Sequence, residues 1–150
     1  MKNVLLILIC FGIMSTTVFS QGNFKVSIRH YLGGAGTRGN YVVTKDSIKL
    51  ITDCDFEGCK PTLVYQQELT AEQSQKFYNL LLKQRLDTLQ NKYKTTSDID
   101  DGHQASIEIS GDKLPTKSIY MDNYFPISAQ VILMEADKLI KKKKYKFYHD

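Results

Sequence analysis

Residues 24–31, FKVSIRHY, alternate apolar and polar side chains. That period puts Phe24, Val26 and Ile28 on one side of a strand and Lys25, Ser27 and Arg29 on the other. A chain built on it needs a sheet with one covered face and one wet face. NYVVTKDSIKLIT, residues 40–52, is rich in Val, Ile and Thr and carries a turn signal at Lys45–Ser47. It is expected to form two strands of a hairpin. TLVYQQEL, residues 62–69, supplies a fourth strand. ASIEIS (105–110) and TKSIYM (116–121) supply two more around the turn dipeptide Gly111–Asp112.

Elsewhere the period lengthens. Thr70 and Gln73 form a capping box, each side chain satisfying the other's free backbone amide. A helix follows through residues 71–86, with Phe77, Leu80, Leu81 and Leu89 on a broad face. After Pro126, residues 127–144 return to helical spacing. Ile132, Ala136, Leu139 and Ile140 lie on one side, and Ser128 is placed to cap. The order is β-β-β-β-α-β-β-α. Short connections favour antiparallel pairing, and two amphipathic helices can cover one sheet face. The expected fold class is therefore α+β. It is a two-layer domain with a mainly antiparallel sheet of about six strands and two helices on one face. Lys25, Ser27, Arg29, Ser106 and Glu108 would line the solvated opposite face.

The chain opens MKNVLLILICFGIMSTTVFSQGNFK. Lys2, an apolar run over residues 4–14 and the small residues Val18 and Ser20 make the three parts of a secretory signal, with a cut expected after Ser20. The apolar run is well short of the roughly 20 residues that a spanning helix needs. Cys10 lies inside that run behind Ile9, which is not small, so a lipid anchor at Cys10 is not expected. Residues 21–150 then form one domain, delivered to the periplasm or the exterior. Removing Cys10 leaves Cys54 and Cys59, an even pair in an oxidising compartment, expected as a disulfide around Gly58. The flanking acids disfavour a reactive thiolate, which argues against a redox pair.

GAGTRG, residues 34–39, matches the dinucleotide fingerprint letter for letter. That turn works only where a helix follows, so that pyrophosphate can sit on the helix N-terminus. Here NYVVT follows, which is strand-like, so no nucleotide cofactor is expected. The segment reads as a hairpin connection. Gly34, Gly36, Arg38 and Gly39 remain a candidate ligand loop, in which backbone amides and the guanidinium would contact an anion.

SDIDDGHQ, residues 97–104, gathers Asp98, Asp100 and Asp101 as a candidate weak calcium site. Gly102 falls where a ligand belongs, and Ile109 stands in place of the bidentate acid. With His103 the same loop offers an acid–base pair, but no G-x-S-x-G or H-E-x-x-H motif completes a catalytic set. No catalytic residue is assigned. All three histidines are expected at the surface or in loops.

Residues 138–150 hold six lysines and one acid, a net of +5, whereas residues 21–137 hold 13 basic and 15 acidic residues, a net of −2. Lys141, Lys142, Lys143, Lys144 and Lys146 are candidate contacts to an anionic membrane surface. On the other reading the lysines sit at the negative end of the helix dipole, and the interleaved Tyr145, Phe147 and Tyr148 dock on the core or form a short extended end. Export and the lack of any binding motif argue against nucleic acid.

GGAGTRGNYVVTKDSIKL, LTAEQSQKFYNLL, DGHQASIEI and DNYFPISAQVILMEADKLI occur in that order. This arrangement resembles small exported bacterial proteins of uncharacterised domain families, over most of residues 22–140. The resemblance implies an envelope or secreted domain and carries over no catalytic residues. The function expected is a non-catalytic exported binding domain with a protein or envelope partner. Two alternatives are a small hydrolase using the Asp98–His103 loop and a peripheral envelope protein held by its lysines.

Overall fold

The computed structural model describes residues 22–32, 37–54, 57–95 and 103–147, apart from the side chains of Leu32, Thr37 and Cys54. The fold is α+β. Among the described residues seven strands run β1 (Phe24–Leu32), β2 (Thr37–Thr44), β3 (Ser47–Cys54), β4 (Thr62–Glu68), β5 (Lys92–Lys94), β6 (Gln104–Gly111) and β7 (Leu114–Asp122). Helix α1 (Ala71–Lys83) follows β4, and α2 (Ile127–Lys138) follows β7. The strands form one sheet in the order β4-β3-β2-β1-β6-β7-β5, and only the β5–β7 pair is parallel. The sequence expectation of about six strands missed β5, three residues whose partner lies far along the chain.

The alternation of β1 resolves as expected: Phe24, Val26 and Ile28 are buried while Lys25 and Arg29 are exposed. Register carries the same parity across the sheet. Ile28 pairs with Tyr41 and Ile107, Tyr41 with Leu50, and Ile107 with Ile119. Both helices cover this face. Phe24 meets Phe77 and Tyr78 of α1, with ring centroids 5.9 and 5.7 Å apart. The Tyr41 hydroxyl donates to Asp137 of α2 at 3.2 Å. The α1 capping box forms at both ends: Gln73 N–H donates to Thr70 Oγ1 at 3.2 Å, and Thr70 N–H to Gln73 Oε1 at 3.0 Å.

Three sequence expectations are corrected. Helix α1 ends at Lys83, and Arg85 turns into the left-handed region (φ 45°) to start the short 3-10 turn Leu86–Thr88. The N-cap of α2 is Pro126, with no side-chain cap, and Ser128 lies inside the first turn. Helix α2 stops at Lys138 instead of continuing through the lysine run.

Beyond α2 the chain folds back over the covered face. Gln67 holds the bend: its Nε2 donates to Leu139 O at 3.1 Å, and its Oε1 accepts from Lys141 N at 3.2 Å. The Tyr145 ring packs tilted against Tyr65, with centroids 4.9 Å apart, and its carbonyl accepts from the Tyr41 hydroxyl at 2.5 Å. Phe147 packs between His30 and Tyr41, 4.2 Å from each ring, and its N–H donates to Asp137 Oδ1 at 2.8 Å. Asp137 is only 3% exposed, so these donors satisfy a carboxylate that burial would otherwise penalise. Tyr145 and Phe147 thus pack against the core, Tyr148 lies outside the described residues, and Lys141–Lys144 are exposed.

This strap explains one glycine of the GAGTRG segment. Gly39 sits within β2 opposite His30, and a methyl group there would overlap the Phe147 ring. Its role is to make room for an aromatic side chain 108 residues later. His30 is corrected as well: it is half-buried under Phe147, not a surface residue. Burial pushes its pKa down to about 4, with a smaller contribution from His103.

Candidate functional site: the open sheet face

The face opposite the helices is mostly polar over β1, β6 and β7, carries Val42, Ile51 and the exposed Leu63 toward β4, and is uncovered by any described element. Strand parity assigns its side chains. One row across the strands runs Leu63, Ile51, Asn40, Arg29, Ser106, Tyr120 and Lys92. The next runs Asp53, Arg38, Tyr31, Gln104, Asp122 and Lys94. A third contains Lys49, Val42, Ser27, Glu108 and Ser118.

Local contacts order this surface. The Ser27 hydroxyl donates to Asn40 Oδ1 at 3.0 Å across β1 and β2. Ser27 is 7% exposed, more buried than a solvated strand face predicts. The Arg38 guanidinium lies over the Tyr31 ring, 4.9 Å from its centroid, a cation–π contact that fixes both flat groups. Burial raises the pKa of the Tyr120 hydroxyl, and Asp122 and Tyr31 raise it further, so it remains a neutral donor. Arg29 is exposed and makes no ion pair among the described residues. Farther along, Lys25, Ser27, Glu108, Ser110, Thr116 and Ser118 line a shallow hollow of about 290 Å³.

Topology brings the ends of three sequence-derived candidate loops to one end of this sheet. Leu32 pairs with Thr37, and Thr37 pairs with Cys54. Gln104 pairs with Tyr31 on one side and Asp122 on the other. The glycine segment, the Cys54–Cys59 segment and the acidic segment therefore all connect to the sheet end that carries Tyr31, Arg38 and Gln104. Of the candidate ligand loop, Arg38 and Gly39 are within β2, where a strand follows instead of a helix, and Gly34 and Gly36 lie outside the described residues.

Asp98, Asp100 and Asp101 also lie outside the described residues, and His103 is exposed just before β6. Among the described residues no group of three or more His, Cys, Asp or Glu could hold a metal ion. Cys59 is half-buried. The side chain of its expected partner Cys54 is outside the described set. No described helix is long and apolar enough to cross a membrane.

Sequence reasoning placed Arg29, Ser106 and Glu108 on this face but missed Tyr31, Gln104, Tyr120 and Asp122 as members of the same surface. Their signal was outward parity on β1, β6 and β7. A different exposed surface lies on the helix layer, where Ile127 is 79% exposed, Tyr124 54% and Met134 49%. No family model, curated protein or solved structure matches this chain.

Proposed function

We propose that this chain is an exported, non-catalytic binding domain that engages its partner through the open sheet face. The observation that carries the reading is the ordered set of tyrosines and arginines on a sheet face that no described element covers. Tyrosine and arginine supply most binding energy in interfaces because each combines contact area with a polar tip. The Tyr31–Arg38 contact at 4.9 Å lowers the cost of fixing those side chains on binding. The signal-like residues 1–20 support delivery to the periplasm or exterior. In that compartment Cys54 and Cys59 would close a short loop beside the face, contributing roughly 2 kcal/mol.

A photo-crosslinking residue at Ser106, in the middle of the face, tests the reading in the native cell. It is expected to yield a discrete adduct in the envelope or exterior fraction. The same probe at Ile127, on the helix layer, is expected to yield none. Adducts from Ile127 and none from Ser106 would move the binding surface to the helices.

The exposure of Lys141–Lys144 favours a second reading, attachment to an anionic surface through charge. Each lysine near such a surface is worth about 1 kcal/mol and is screened by salt. Because Tyr145 and Phe147 belong to the core, this reading is probed by lysine-to-glutamine changes at 141–144, not by deleting the tail. The hydrolase alternative rests on a loop of which only His103 is described.

A further inference from the structure

We infer that the Tyr31–Tyr120 end of the open face is a subsite for an oligosaccharide bearing carboxylate groups. This inference rests on the binding-face reading and names the chemistry of the partner. Tyr31 on β1 and Tyr120 on β7 are two strands apart and offset by two residues. Strand geometry puts their backbones roughly 12 Å apart, a spacing for a short chain of sugar rings instead of a single ring. Between and beside them stand the groups that sugar hydroxyls need. Gln104 and Asn40 offer both amide donors and acceptors, Ser106 offers a hydroxyl, and Asp122 accepts.

Tyrosine rings bury the apolar C–H faces of a sugar while their hydroxyls stay wet, which suits a half-exposed position. Tyr31 and Tyr120 are both half-buried, so each ring is partly accessible. Arg29 adds the charge selection. It sits in the row between Asn40 and Ser106, exposed and without an ion pair among the described residues, so its guanidinium can receive a carboxylate in a bidentate pair. The shallow hollow along the same strands extends the track toward Ser110 and Thr116 with hydroxyl-bearing residues and Lys25.

The experiment titrates the full exported chain, by calorimetry or amide chemical shifts, with a uronic-acid oligomer of four to six units. The neutral hexose oligomer of the same length is the comparison. The uronic oligomer is expected to bind at least tenfold more tightly, with shifts confined to β1, β6 and β7. Tyr120→Ala and Arg29→Gln should each weaken it about tenfold, and Arg29→Gln should also erase the preference over the neutral oligomer. Ile127→Ser, on the helix layer, should change nothing, and unchanged melting temperatures exclude misfolding. If neither oligomer binds while a Ser106 probe still crosslinks a protein, the saccharide inference fails and the binding face stands. Uronic-oligomer binding that ignores both face substitutions would overturn the subsite.

Discussion

Acidification from pH 7 to pH 4 is expected to destabilise the fold by about 3 kcal/mol through His30 alone. The imidazole is half-buried against Phe147, with Gly39 and Ala105 opposite it on the neighbouring strands. Burial first, and His103 second, lower its pKa from 6.5 to about 4. The folded chain therefore holds this side chain neutral at a pH where the unfolded chain has already protonated it. The unfolded state binds more protons between pH 6.5 and about 4, so stability rises with pH across that window. The contribution is complete above pH 6.5 and is lost as pH falls toward 4. Carboxylates titrate nearby, so the measurement is a difference. Denaturant midpoints of the wild type and His30→Gln are compared at neutral pH and near pH 4. The wild type should lose more stability on acidification than the variant does. Parallel losses would show that His30 is as solvated folded as unfolded.

The second large effect concerns the strap. Phe147→Ala is expected to cost about 2–3 kcal/mol, below the roughly 3–5 kcal/mol of a fully buried phenylalanine because this ring is half-buried. The loss includes contacts to His30 and Tyr41, and it loosens the segment whose backbone N–H serves Asp137. Gly39→Ala supplies the partner experiment. In the wild type the added methyl meets the Phe147 ring, and overpacking of that kind costs about 1–3 kcal/mol. In the Phe147→Ala background the space is open, and alanine in a strand is favoured over glycine by about 0.5–1 kcal/mol. The Gly39→Ala effect should therefore change sign between the two backgrounds. Simple additivity in the double-mutant cycle would break the link between Gly39 and Phe147.

The same pair shows what the sequence could and could not convey. Alternation in FKVSIRHY and ASIEIS depends on neighbours two residues apart, and the strands β1 and β6 follow it. The Thr70–Gln73 box is equally local. Strand β5 was not legible, because KYK is too short for a period and its parallel partner β7 is set by tertiary structure. The end of α2 was misread because lysines are good helix formers. Nothing local reveals that Tyr145 and Phe147 have a slot waiting across β1, β2 and β4. Gly39 looked like part of a turn motif because the residue that requires it lies at the far end of the chain. The candidate site was half legible. Outward parity pointed to Arg29 and Ser106, while grouping them with Tyr31, Tyr120 and Asp122 required the strand order β1-β6-β7.

Binding in an envelope presupposes export, and the intact mass of the protein recovered from its native cells tests that most directly. The account predicts a chain beginning at Gln21, found outside the cytoplasm, two hydrogens lighter than its reduced form because Cys54 and Cys59 are joined. A product retaining Met1, located in the cytoplasm and with both thiols open to alkylation, would contradict it.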